Sequence, residues 1–146
     1  MKQSTILKEQ MKDDLMRVYR EVSSQYCCRH QEEAYEQAVM HEAPRFYVDS
    51  RWASQRIAPL CRGDHNALEK MNPLTRQMYE ELFAVVQRLY QEEKYWGKSL
   101  SYVLRFAVQE PASRFFISKE RMGQIWRERT AKKRQRDQKM YGEIKN

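Results

Sequence analysis

Apolar residues near the start of the chain recur in steps of three and four: Leu7, Met11, Leu15, Val18, Tyr19 and Val22. This spacing puts them on one helical face and predicts a first long helix over about residues 5–24. A second apolar face, Ala34, Tyr35, Ala38 and Val39, predicts a helix over residues 31–41. Pro44 then disfavours helical geometry in the residue before it, so Arg45 to Val48 should be extended. Asp49 is a good N-cap, and Ala53 and Ile57 face inward on a short helix expected to stop at Pro59. Leu60 to Met71, with Gly63, Asp64, His65 and Asn66, reads as surface loop.

The same order of elements then returns. Asn72 as cap and Pro73 in the first turn open a second long helix carrying Met78, Leu82, Phe83, Val86 and Leu89, expected to run to about Lys94. Ser99 or Ser101 begins a helix through Gln109, Pro111 ends it, Ser113 falls in the following turn, and Ser118 caps a last helix that can extend far into the C-terminal residues. The return is visible in the residues themselves. AVMHEAPRFYVD from Ala38 to Asp49 is followed 69 residues later by AVQEPASRFFIS from Ala107 to Ser118. Ala38, Val39, Ala43, Arg45 and Phe46 meet identical partners. With two residues inserted in the first copy, Leu7, Met11, Leu15, Val18 and Tyr19 meet Met78, Leu82, Val86, Leu89 and Tyr90. A period of this size indicates a duplicated supersecondary unit.

Composition narrows the class. Twelve per cent aromatic and 41% hydrophobic residues argue against general disorder, and four glycines with four prolines supply too few turns for a many-stranded β fold. Two units of about seventy residues would each be marginal alone, so one domain with a shared core is expected. No apolar run approaches a membrane span, and MKQSTILKEQMKDD lacks the apolar core of a signal peptide, so a cytoplasmic protein with reduced thiols is expected. Cys27, Cys28 and His30, followed by Cys61 and His65, form C-x-x-H and C-x-x-x-H pairs that a tetrahedral zinc site could use. Their spacing does not match known zinc fingers and the second copy has no equivalents. No metal or cofactor is assigned.

Charge changes the picture most. Residues 1–113 balance 16 basic against 16 acidic side chains, while residues 114–146 hold 11 basic and 4 acidic, which is the whole excess of +7. Arg127, Arg129, Lys132, Lys133, Arg134, Arg136 and Lys139 have a density suited to phosphate oxygens and counterion release, though such a run also serves simply as a solvated helix.

Helix, turn and capped helix behind a longer support helix resembles the helix-turn-helix superfamily at the level of arrangement, over roughly residues 31–58 and 99–130. The connection of about eight residues is longer than the usual three or four. The resemblance implies that the second helix of each motif enters the major groove. With Ala53/Ile57 and Met122/Trp126 inward, the outward positions are Arg51 and Gln55 in the first copy and Glu120, Arg121, Gln124 and Arg127 in the second. Glutamine suits adenine and arginine suits guanine. Arg45-Phe46-Tyr47-Val48 and Arg114-Phe115-Phe116-Ile117 could stack on unpaired bases. Their alternation fits better with plugging the core, leaving the arginines to cap the preceding helices.

No P-loop, glycine-rich dinucleotide turn, H-E-x-x-H or nucleophile elbow is present, and Glu32-Glu33 and Glu80-Glu81 read as solvated surface, so no catalytic residue is assigned. The expected fold is all-α, with two tandem three-helix, helix-turn-helix-like units sharing a core about a pseudo-twofold axis and a basic C-terminal helical extension. Unit one spans 1–62, a linker 63–71, unit two 72–130 and the tail 131–146. The expected function is duplex DNA binding, regulatory or in mobile-element handling, with a protein-interaction adaptor as the alternative.

Overall fold

Helix accounts for nearly all regular structure in the computed structural model, which describes residues 3–25 and 30–145. Six α-helices follow in order: α1 Gln3–Gln25, α2 Gln31–Met40, α3 Ser50–Cys61, α4 Pro73–Leu89, α5 Leu100–Ala107 and α6 Lys119–Lys145, with a 3-10 turn at Glu93–Tyr95 before α5. The protein is all-α among the described residues, as the turn-poor composition and the three-and-four spacing predict.

The caps are local chemistry and fall where expected. Asp49 accepts from the Arg51 N–H, Asn72 from Thr75, Ser99 from Tyr102 and Ser118 from Arg121, at 2.9–3.2 Å. Each satisfies one of the donors a helix start leaves open. Three boundaries differ from the sequence expectation. Pro59 does not stop α3, which continues to Cys61. The stop is Gly63, at φ +88°, with its N–H on the Leu60 carbonyl and the Asp64 N–H on the Pro59 carbonyl. These are the paired bonds of a Schellman end, which needs a left-handed residue. α4 ends at Leu89 rather than near Lys94, and α5 at Ala107 rather than Gln109.

Packing crosses between the halves of the sequence. α1 packs on α2 and α4 on α5 within each half, but α3 packs on α5 and α4, and α6 on α2 and α1. The third helix of each half is therefore seated on the other half, rather than closing a separate three-helix unit with its own second helix. The crossing point is a backbone exchange. Ala43 and Ala112 bond each other's N–H and carbonyl at 2.9 Å, Phe46 N–H reaches the Val108 carbonyl and Phe115 N–H the Val39 carbonyl, both at 2.9 Å. The 69-residue offset turns each of these bonds into another of the set, and the exchange satisfies backbone groups that would otherwise be buried without partners.

Around this point Phe46 and Phe115 are each 1% exposed and Ala43 and Ala112 also 1%. Phe46 stacks on Phe116 and Tyr47 on Phe115, both pairs 11° from parallel. The core expected from the first and second apolar faces is thus one core, shared by both halves. Arg45 and Arg114 do not cap the preceding helices. Each Nε donates forward, to the Phe46 and Phe115 carbonyls at 3.0 Å.

Two polar contacts lock the crossing. Tyr47 donates its hydroxyl to Asp14 at 2.5 Å, and Asp14 pairs with Arg17 at 3.2 Å. Burial, and then the bond to Asp14, push the Tyr47 hydroxyl far above its ordinary pKa. Glu81 is not solvated surface as expected. Its carboxylate accepts from the Ser113 N–H at 2.7 Å and the Ser113 hydroxyl at 2.6 Å, tying α4 to the turn that leads into α6.

Candidate nucleic-acid interface

Helix α6 divides into a docked half and an exposed half. Met122 and Ile125 are fully buried, and Trp126 lies tilted on Tyr19 with ring centroids 4.4 Å apart. Gly123 sits against Tyr35, where a β-carbon would come within 3.1 Å of the ring, so the missing side chain allows α6 to close on α2. One turn on, Arg129 holds α1 through both ends of its guanidinium, to Glu9 at 2.7 Å and Asp13 at 2.8 Å. Thr130 donates to the Trp126 carbonyl at 2.7 Å. From Lys132 to Met140 every side chain is exposed.

The sequence-nominated residues sort along this division. Lys132, Lys133, Arg134, Arg136 and Lys139 lie on the exposed half, within one continuous helix. Arg129 does not belong with them, because two carboxylates of α1 already occupy its charge. Arg121, Gln124 and Arg127 are exposed, as the inward assignment of Met122 and Trp126 requires. Arg121 donates to the Gln124 side-chain oxygen at 3.1 Å and stands 3.9 Å from Glu128. Gln124 and Arg127 line a cleft of about 340 Å³ with Glu32, Tyr35 and Glu120. Charge there is mixed, which weakens its pull on an anion. Burial, with Tyr19 nearby, holds the Tyr35 hydroxyl above its ordinary pKa, and Arg127 opposes that shift, so this tyrosine is neutral near pH 7. Arg51 and Gln55 are exposed on α3, which is seated on α4 and α5 rather than beside α6.

Sequence reasoning missed one member of the basic surface. Arg20 on α1 lines a groove of about 400 Å³ with Met16, Trp126, Lys133 and Arg136. Among the described residues Arg20, Lys133 and Arg136 take part in no ion pair. Arg20 lies in the charge-balanced region, and only the packing of α6 on α1 brings it to the tail's side. The one available signal was its outward position beside Tyr19, which every exposed arginine of an amphipathic helix shares.

Cys27 and Cys28, nominated as possible zinc ligands, lie outside the described residues. His30, Cys61 and His65 are exposed. No group of three or more His, Cys, Asp or Glu side chains among the described residues is placed to hold a metal. Among the described residues no helix is long and apolar enough to cross a membrane. Compared with protein-family models, curated proteins and solved structures, the chain finds no match in any of the three.

Proposed function

We propose that this protein binds duplex DNA, in a regulatory or mobile-element setting, through the exposed half of α6 and the groove it forms with α1. One observation carries the reading. Five cations, Lys132, Lys133, Arg134, Arg136 and Lys139, stand exposed on a short stretch of one helix whose other end is anchored in the core. A helix of this charge density releases counterions when it lies against phosphates. Arg20 supplies a further cation from the docked side. Two equivalent halves about an approximate twofold axis form the support, and only the second carries the contact. The mixed charge around Arg121, Gln124 and Arg127 favours backbone contact over base reading, since Gln124 is already engaged by Arg121.

The test is fluorescence anisotropy with a labelled duplex across a salt series. Removing residues 131–146 leaves Trp126, Arg129 and Thr130 in place, so the core survives, and the log–log salt slope should fall by about 0.9 for each phosphate that the shortened helix no longer neutralises. Arg129→Ala should leave the slope unchanged. Salt-insensitive binding, or a truncated protein that binds as the full chain does, would sink the reading. Arg121→Ala with Gln124→Ala should alter affinity by less than about threefold on every sequence, as backbone binding predicts; a loss confined to particular sequences would instead assign base reading to that pair.

A second reading has its own support. Met40 and Trp52 are 55% and 56% exposed on α2 and α3, and large exposed apolar side chains are the raw material of a protein-interaction adaptor. In that case the tail would meet an acidic protein, and duplex binding would be absent at low salt.

A further inference from the structure

The outer face of α5 and the turn before it carry exposed rings. Trp96 is 63% exposed, Phe106 42% and Tyr102 38%. Phe106 packs at a tilt between the buried Tyr95 at 5.7 Å and the exposed Tyr102 at 5.3 Å, so Phe106 and Tyr102 form one patch resting on the core, with Trp96 exposed on the adjoining turn. Cations are already set among them. Lys98 lies over the Tyr102 ring at 5.4 Å with Arg105 exposed on the same helix, while Lys94, over the Tyr95 ring at 5.1 Å, is paired with Glu92 at 4.0 Å. The turn that presents Trp96 is held by Gly97 at φ +75° and by the Tyr90 hydroxyl donating to the Lys98 carbonyl at 3.1 Å.

The duplication shows that the helical positions of Tyr102, Arg105 and Phe106 do not require these side chains. On the inner faces of α2 and α5 the 69-residue offset pairs Ala34 with Val103, Tyr35 with Leu104, Ala38 with Ala107 and Val39 with Val108, all buried. On the outer faces it pairs Tyr102, Arg105 and Phe106 with Glu33, Glu36 and Gln37, all exposed. The same helical position is therefore acidic and polar in one half and aromatic and cationic in the other. Scattered exposed apolar residues are ordinary, but a contiguous aromatic patch that an equivalent helix lacks calls for an occupant.

We infer that this patch is a binding site for an unpaired nucleic-acid strand, with Trp96, Tyr102 and Phe106 stacking on bases and Lys98 and Arg105 meeting the phosphates between them. Ring faces accept any base, and cations alternating with rings match the alternation of base and phosphate along a strand. An acidic partner helix like α2 would satisfy the cations but leave three rings without the flat partners they fit. The site is separate from the α6 surface and stands whether or not duplex DNA binds there.

The experiment uses the full chain with three probes: a labelled single-stranded oligothymidylate, a duplex of the same length and an acidic, tyrosine-containing peptide. Tyr102→Glu with Phe106→Gln makes α5 resemble α2 at those exposed positions, and Trp96→Ala removes the most exposed ring; thermal melts by circular dichroism report that each variant is folded. Each variant should weaken single-strand binding at least about tenfold and duplex binding less than about twofold, while Trp96→Phe should stay within about threefold of the original. Unchanged single-strand affinity in the folded double variant overturns the assignment. So does patch-dependent binding of the peptide with the oligonucleotide unaffected, which would make this a protein-docking surface. Absence of duplex binding by the original protein counts against the α6 proposal alone, because the single-strand arm is read independently.

Discussion

Helices α3 and α6 begin alike and end differently. Both start on a capped turn after the RFYV or RFFI segment, both bury two positions fully in their early turns, and both sit on the opposite half of the chain. α3 is closed at Gly63, and the chain folds back so that Leu68 is buried beside the groove-forming Leu60 and Phe83. At the position equivalent to Gly63, α6 has Lys132, and it continues for about three and a half more turns. One scaffold thus has one end folded onto itself and one end left to solvent. The outer faces of α2 and α5 repeat the lesson with other chemistry. Where a structural unit is duplicated, function is to be sought where the copies diverge on the outside while agreeing on the inside.

The equivalence of the insides can be broken by experiment. Phe46→Ala and Phe115→Ala each empty a fully buried aromatic site at the crossing and should each cost about 3–5 kcal/mol in chemical denaturation. A loss at one position less than half that at the other would show that the halves do not share the crossing equally.

A smaller effect separates Tyr47 from its counterpart Phe116. Tyr47→Phe gives the first copy the residue of the second and removes the bond to buried Asp14, at a cost of about 1.5–3 kcal/mol at neutral pH. The sign of its pH dependence follows from the raised pKa. The Tyr47 contribution is fully present below the ordinary value of 10.0 and is lost as pH rises above it toward the raised folded value. Denaturation series across that pH should therefore fall less steeply for Tyr47→Phe than for the original protein. Tyr35, Tyr79 and Tyr90, raised in the same direction chiefly by burial, keep the remaining slope. Parallel curves would mean that Tyr47 is not part of the alkaline loss.

The smallest effect sharpens the contrast of the two helix ends. Gly63→Ala places a β-carbon in open space but at φ +88°, so only backbone strain is added, about 1–2 kcal/mol. A neutral Gly63→Ala, measured by thermal melt, would indicate that the α3 end is held by Leu68 packing and not by the left-handed turn.

Much of the fold was legible because its signals are local. Asp49, Asn72, Ser99 and Ser118 bond donors two or three residues away, and Leu7 through Val22 share a face by helical geometry alone. Gly63 reads as loop and Pro59 as the stop in sequence, yet α3 runs on past Pro59, which gives up the N–H for the Gln55 carbonyl, and ends only where Gly63 takes the left-handed turn. Of the proposed interface, the five exposed cations of the tail were legible from composition. Arg20 joining them and Arg129 leaving them were not, since both depend on where α6 lies against α1. In sequence, stacking chemistry points to the RFYV and RFFI segments, where Phe46 and Phe115 are in fact buried. The exposed rings are on α5 and the turn before it, where the strong inner stripe of the helix dominates the sequence pattern.

By itself the sequence determined that the chain is helical, where most helices start, which residues turn inward, that one stretch is present twice and that the excess charge lies at one end. Each of these depends on neighbours within a turn or two, or on counting. The tertiary structure alone decided that α3 crosses to α5 and α6 to α2. The inner faces Ala34, Tyr35, Ala38, Val39 and Val103, Leu104, Ala107, Val108 are similarly apolar, and hydrophobic burial is non-directional, so nothing local tells a third helix which of the two to cover. That choice sets which cations are paired inside the protein and which remain exposed.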